Sequence, residues 1–219
     1  MIKACIFDMD GTTVNSLDSI AYFANNALKK FGLPAIETEK YKLLVGNGAK
    51  VLVKRMIETV GAPEELTESV LNEYNSTYDN DFLYLAHPYE NITELLTRLK
   101  EMNITSAILS NKPHSTAKKV SDALFGDELI KICQGGIDGT PLKPSPDGVF
   151  KLLDRLGVKK HECLYIGDTA TDMKTGKNAG LYTIGVLWGF RSREELEEAN
   201  ADVIISSPFQ IIDIINKMA

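Results

Sequence analysis

A chain of 219 residues has room for one large domain, or for one core carrying a sizeable insertion, because domains run to roughly 100–200 residues. Its 44% hydrophobic and 25% charged residues match an ordinary globular protein and argue against disorder, collagen or a disulfide scaffold. Lys+Arg 24 against Asp+Glu 30 leaves a net charge of −6 with no long basic block, which excludes nucleic acid as a partner. No apolar run approaches the roughly 18 residues that span a bilayer, so no membrane partner is expected. Asp8 interrupts the first apolar stretch too early for a signal-peptide core, which points to a cytoplasmic protein. Cys5, Cys133 and Cys163 are odd in number, lack metal-ligand spacing and lie in or beside apolar runs; they read as buried free thiols of a reducing compartment. His87, His114 and His161 are scattered and read as loop residues, a poor basis for a zinc site.

In chain order, Lys3–Phe7 reads as the first strand. From Leu17 to Leu85 only helix signals follow. Leu17, Ile20, Ala21, Ala24, Leu28 and Phe31 recur at helical spacing, with Ser16 placed to cap the helix and Gly32 to end it. Thr38 is placed to cap a second helix, which Gly46-Asn47-Gly48 interrupts. A third helix is expected from Ala49 to Val60 and a fourth from Glu64 to Tyr78. Beyond this block, apolar runs alternate with helical patterns. The expected strands are Thr105–Leu109, Ile130–Gln134, Cys163–Ile166, Tyr182–Val186 and Val203–Ile205. The expected helices are Glu90–Met102, Ser115–Leu124, Pro146–Leu156, Thr171–Ala179, Arg193–Ala199 and Phe209–Lys217. Alternation of this kind predicts an α/β fold: a doubly wound, Rossmann-like parallel sheet with an inserted all-helical cap. The expected boundaries are residues 1–14 and 86–219 for the core and 15–85 for the cap, with linkers near Val14–Ser16 and Tyr84–Pro88.

Ligands of open parallel sheets bind beyond the carboxyl ends of the strands. There the sequence places Asp8-Met9-Asp10-Gly11-Thr12 after the first strand, Ser110-Asn111-Lys112 after the second and Gly167-Asp168 after the Cys163 strand. Pro141-Leu142-Lys143-Pro144 adds a loop with a lysine. Asp8, Asp10 and Asp168 would form a three-acid site whose mutual repulsion calls for a cation, and all-oxygen ligands suit Mg²⁺. Ser110, the Asn111 N–H and the Lys143 ammonium are donors suited to a phosphoryl group. A carboxylate attacking phosphorus, with a second carboxyl group as acid and then base, is the chemistry this set permits.

These residues, in this order over nearly the whole chain, resemble the four motifs of the haloacid dehalogenase-like hydrolase superfamily. The helical block is similar to that family's small cap, and Leu44-Val45-Gly46-Asn47-Gly48-Ala49 is similar to a cap segment of its phosphoglycolate phosphatases. The resemblance implies Asp8 as the nucleophile forming an aspartyl-phosphate. Asp10 would be the acid and base, its carbonyl also meeting the metal, and Asp168 the further metal ligand. Asp172 would support the metal through water or orient Lys143, and Thr12 would orient Asp10. Thr13 and Asn15 depart from the leucine and aspartate usual among the phosphatases. Asn47, Lys50 and Arg55 are the expected cap contacts to the non-phosphate end of a substrate. Trp188-Gly189-Phe190-Arg191 is placed either to flank the site or to form a subunit contact. The expected substrate is a small phosphorylated metabolite and the expected state a monomer or weak homodimer. A sugar-phosphate mutase and a phospho-aspartate signalling module stand as alternatives.

Overall fold

The computed structural model describes residues 1–218. In chain order the elements begin with β1 (Ala4–Phe7), β2 (Val14–Asn15), α1 (Leu17–Lys30), α2 (Thr38–Leu44), α3 (Ala49–Thr59) and α4 (Thr67–Asn80). Then come β3 (His87–Pro88), α5 (Ile92–Glu101), β4 (Thr105–Pro113), α6 (His114–Leu124), α7 (Gly126–Leu129), β5 (Ile132–Gly136) and α8 (Asp147–Leu156). The chain closes with β6 (Cys163–Gly167), α9 (Ala170–Ala179), β7 (Tyr182–Val186), α10 (Arg193–Glu198), β8 (Val203–Ile205) and α11 (Gln210–Lys217). Six strands form one parallel sheet in the order β5-β4-β1-β6-β7-β8. The chain steps to one side of β1 to reach β4 and to the other to reach β6, so loops from both directions meet above β1.

Alternation along β1 accounts for the two layers beneath and above the sheet. Cys5 and Phe7 point into one buried cluster with Leu95, Leu99 and Ile211; Ala4 and Ile6 point into another with Val149, Leu152 and Tyr165. A third cluster lies within the helical block, where Phe23, Leu28, Tyr41, Met56 and Val70 are buried together, joined from outside by Phe190. Among the described residues no helix is long and apolar enough to cross a membrane.

Several local expectations change. Ser16 makes no cap hydrogen bond to α1; its hydroxyl instead donates to Asp10. The N-cap of α2 is Glu37, with Thr38 already inside the helix. The fourth helical run divides into a 3-10 turn, Glu64–Leu66, and α4. β4 runs on to Pro113, with a shift of register against β5 between Leu109 and Pro113, so Ser110, Asn111 and Lys112 lie in its irregular end. The two-residue ribbon β2–β3, which pairs Val14 with Pro88 and Asn15 with His87, ties the entry of the helical block to its exit. His114 begins α6, and its Nδ1 accepts from the Gly135 N–H. All three cysteines are free and buried.

Candidate active site

The Asp8 N–H donates to the Ile166 carbonyl at 2.9 Å, prolonging the ladder by one residue and aligning Asp8 with the end of β6. The chain then folds back tightly, and the Met9 carbonyl accepts from the N–H groups of Thr12, Thr13 and Val14. Gly11 takes a positive φ of 91° there, and a Cβ on it would stand 2.3 Å from Asp168 Oδ2. Gly189 closes the other side: its Cβ would lie 2.3 Å from Asp168 Cβ and 2.4 Å from the Gly11 carbonyl. Two glycines thus cradle one carboxylate.

Lys143 Nζ stands between two acids, 2.7 Å from Asp8 Oδ1 and 2.7 Å from Asp172 Oδ1. Burial works against its charge, but Asp172 and Asp8 outweigh this and hold it firmly cationic. Burial, and next the Asp172 charge, raise the Asp8 carboxyl well above the usual range. The same two causes push Asp168 up to about 7, although Phe190 N–H and Thr12 Oγ1 donate to it at 2.8 and 2.9 Å. Asp172 caps α9 reciprocally with Thr169, whose hydroxyl and N–H both donate to its Oδ2.

The structure regroups the acids. Asp8, Asp168 and Asp172 are buried and each offers a carboxylate oxygen within 4.8 Å of the others. The Asp10 carboxylate, expected as the third member, is drawn away: Ser16 Oγ donates to it at 2.7 Å, and Lys112 Nζ at 3.2 and 3.3 Å. Thr12, expected to orient Asp10, orients Asp168 instead. Asp172 both accepts from Lys143 Nζ and offers an oxygen to this trio, so its geometry is compatible with either expected role. An all-oxygen trio with two carboxyls held up by burial and mutual repulsion fits a hard divalent cation.

A cleft of about 590 Å³, open to solvent, lies over these residues. Asp8, Asp10, Ser110, Asn111, Lys112 and Lys143 line its floor, while Ile20, Val45, Leu52, Tyr74 and Tyr78 line it from the helical block. The Asn111 amide donates to the Gly46 and Lys143 carbonyls, both at 3.1 Å, and accepts from the Lys143 N–H at 2.9 Å. Its side chain therefore straps the Lys143 loop to the helical block.

None of Asn47, Lys50 and Arg55 lines the cleft. Arg55 donates to the Leu44 carbonyl, which the end of α2 leaves unpaired, and to Asn47 Oδ1. Asn47 Nδ2 donates to Thr171 at 3.4 Å, and Lys50 faces Glu68 at the surface. Asn47 and Arg55 thus join elements to one another, while Lys50 is exposed at the surface. Trp188-Gly189-Phe190-Arg191 flanks the site: Trp188 Nε1 donates to the Thr12 carbonyl, and Arg191 to that of Val45. Sequence reasoning passed over Lys112 and Tyr78. Lys112 directly follows Ser110-Asn111, a signal present in the sequence; Tyr78, thirty-odd residues away, carries none.

Residues 5–186 match the sequence model of the haloacid dehalogenase-like hydrolases. A phosphoglycolate phosphatase of Haemophilus influenzae is 31% identical over 215 residues, covering 95% of this chain and 96% of that protein. Another, of Aquifex aeolicus, is 27% identical, covering 98% and 97%. The crystal structure of a predicted phosphoglycolate phosphatase from Haemophilus somnus superposes with a TM-score of 0.91 at 26% identity, covering 98% of each chain. Motif order, sheet topology and these likenesses agree: the chain belongs to the haloacid dehalogenase-like hydrolase family, among its phosphatases, and is a phosphoric monoester hydrolase.

Proposed function

We propose that the protein hydrolyses a small phosphomonoester in a Mg²⁺-dependent reaction through an aspartyl-phosphate on Asp8, with phosphoglycolate or a close analogue as substrate. The observation that carries this reading is the Lys143 ammonium set between Asp8 and Asp172, with Asp8 facing the cleft. Asp168 and Asp172 are held in place by hydrogen bonds from Thr12, Phe190, Thr169 and Lys143, and neither lines the cleft. Asp8 meets Lys143 through Oδ1, and of the three carboxylates it alone lines the cleft, so it is the one placed to attack.

Asp8, Asp168 and Asp172, with the Asp10 carbonyl, are the groups that would hold Mg²⁺. Bound there, it supplies positive charge against both the carboxylates and the phosphoryl oxygens. Ser110 Oγ, the Asn111 N–H and Lys143 Nζ hold the phosphoryl oxygens. Asp8 attacks phosphorus as the ester bond breaks, and the Asp10 carboxyl gives its proton to the departing alkoxide. Asp10, now a carboxylate, takes a proton from water; the hydroxide attacks phosphorus, the bond to Asp8 breaks and phosphate leaves. Ser16 and Lys112 keep Asp10 aimed across the cleft in both steps.

The test is phosphate release from a panel of small esters with Mg²⁺ or EDTA, comparing wild type with Asp8→Asn. Mg²⁺-dependent release that Asp8→Asn abolishes is expected. Near-normal turnover by Asp8→Asn refutes the nucleophile assignment, and a phospho-aspartate persisting for minutes favours the signalling alternative.

A further inference from the structure

With Asn47, Lys50 and Arg55 turned elsewhere, the cleft's remaining cation is Lys112, which the phosphoryl-binding set does not use. Its side chain is buried, with the residue 8% exposed, and it lines the cleft beside Asp10. Lys143 is balanced by two carboxylates. Lys112 has one, Asp10, and on its other side meets the Tyr78 ring at 4.5 Å, which offers no counter-charge. Tyr78 comes from α4, lines the same cleft and is 3% exposed, and its hydroxyl finds no acceptor among the described residues. A buried hydroxyl left unpaired beside a buried ammonium is an unmet demand for an acceptor. Of the cleft's other acids, Asp8 faces Lys143 and Asp79 accepts from Thr116 Oγ1, so each has a partner of its own.

We propose that Lys112 and Tyr78 form the subsite for a carboxylate on the leaving group, which selects phosphate esters of 2-hydroxy acids. The argument rests on the phosphatase reading above, in which Asp10 meets the ester oxygen. Lys112 Nζ lies 3.2 Å from Asp10 Oδ1, so it reaches a carboxylate one carbon removed from that oxygen. A carboxylate farther along the chain overshoots the ammonium, and a neutral hydroxymethyl group leaves it without a second anion. The cap thus contributes to selection through one tyrosine on α4, while the charge that reads the substrate comes from the core.

The test compares kcat/KM for phosphoglycolate with that for 2-hydroxyethyl phosphate, the same ester with the carboxylate reduced to an alcohol. Wild type should prefer phosphoglycolate by about 100-fold, the scale of a lost charge-assisted contact in a closed site. Because Lys112 also holds Asp10, Lys112→Met should lower both rates, and the ratio is the readout: it should fall at least about tenfold, with Lys112→Arg restoring part of it. Tyr78→Phe should lower the ratio several-fold. Glycolate should inhibit wild type competitively and ethylene glycol should not, an arm that needs no variant. Equal losses on both esters, or a wild type without preference, overturn the subsite and leave the phosphatase reading standing. Release from no ester at all overturns both.

Discussion

Asp168 is tightly packed between two glycines, and that fit depends on two absent side chains. With Gly11 on one side and Gly189 on the other, its carboxylate fills space where any Cβ would collide. A methyl group at Gly189 would strike the Asp168 Cβ, the Gly11 carbonyl and Asp168 Oδ2, and the first two are not the far end of a flexible chain. Gly189→Ala should therefore cost about 3 kcal/mol of stability by urea unfolding, and Mg²⁺-dependent phosphate release should fall by about 100-fold. Unchanged release would show that the loop gives way without disturbing Asp168. Lys143 poses the opposite problem: it removes repulsion instead of creating it. Lys143→Met would leave Asp8 and Asp172 facing each other unscreened, and a loss of about 3–5 kcal/mol is expected in the metal-free protein, with turnover falling about 1,000-fold. That Asp8, Asp10, Ser110 and Lys143 gather at one cleft was legible in the sequence, because each stands at or just past a strand end or in a proline-bounded loop. Gly189, Tyr78 and the true partner of Thr12 were not, since what they do depends on which strands become neighbours.

Elements read from hydrophobic period are the ones that stand closest to expectation. Tyr182–Val186 and Val203–Ile205 have the expected bounds, being short apolar runs between breakers. The β2–β3 ribbon could not be read this way: two residues a side carry no period, and their pairing spans more than seventy residues of chain. Within the helical block, Asn25 on α1 performs a task that no periodicity reveals. Its Nδ2 donates to the Ile36 carbonyl at 2.9 Å and its Oδ1 accepts from the Ile36 N–H at 2.8 Å, while the buried Tyr41 hydroxyl also donates to Asn25 Oδ1. One side chain thus replaces a strand partner for the loop between α1 and α2. Asn25→Ala leaves both Ile36 backbone groups and the Tyr41 hydroxyl unpaired, and should destabilise the protein by about 2–3 kcal/mol in urea. Since Asn25 is remote from Asp8 in role, phosphate release by the folded fraction should stay within about twofold of wild type. A loss of release without a loss of stability would instead make Asn25 part of the docking of the block.

At the scale of the whole molecule, the acids that hold the site together electrostatically oppose folding when no cation is present. Asp168 is pushed up to about 7 by burial and then by Asp172, and Asp8 is raised by the same causes, whereas an unfolded aspartate titrates near 4. Between these values the folded state binds more protons than the unfolded state, so stability falls as pH rises, by about 1.4 kcal/mol per pH unit for each group still titrating. The lowered acids, such as Glu162 at about 2, change stability only at lower pH and leave this window untouched. In EDTA, then, the protein should be more stable at pH 5 than at pH 8, by about 2–3 kcal/mol from Asp168 alone. On the proposed function, saturating Mg²⁺ should reverse or flatten that trend, because a cation held by the ionised carboxylates of the folded state would bind more tightly as they lose their protons. Asp168→Asn supplies the control: the slope in EDTA should shrink, and the gain from Mg²⁺ should shrink with it. A metal-free wild type whose urea midpoint holds or climbs from pH 5 to pH 8 would mean that the three carboxylates ionise without penalty. Lys143 alone would then suffice to balance them, and the case for a cation at this site would lose its physical basis.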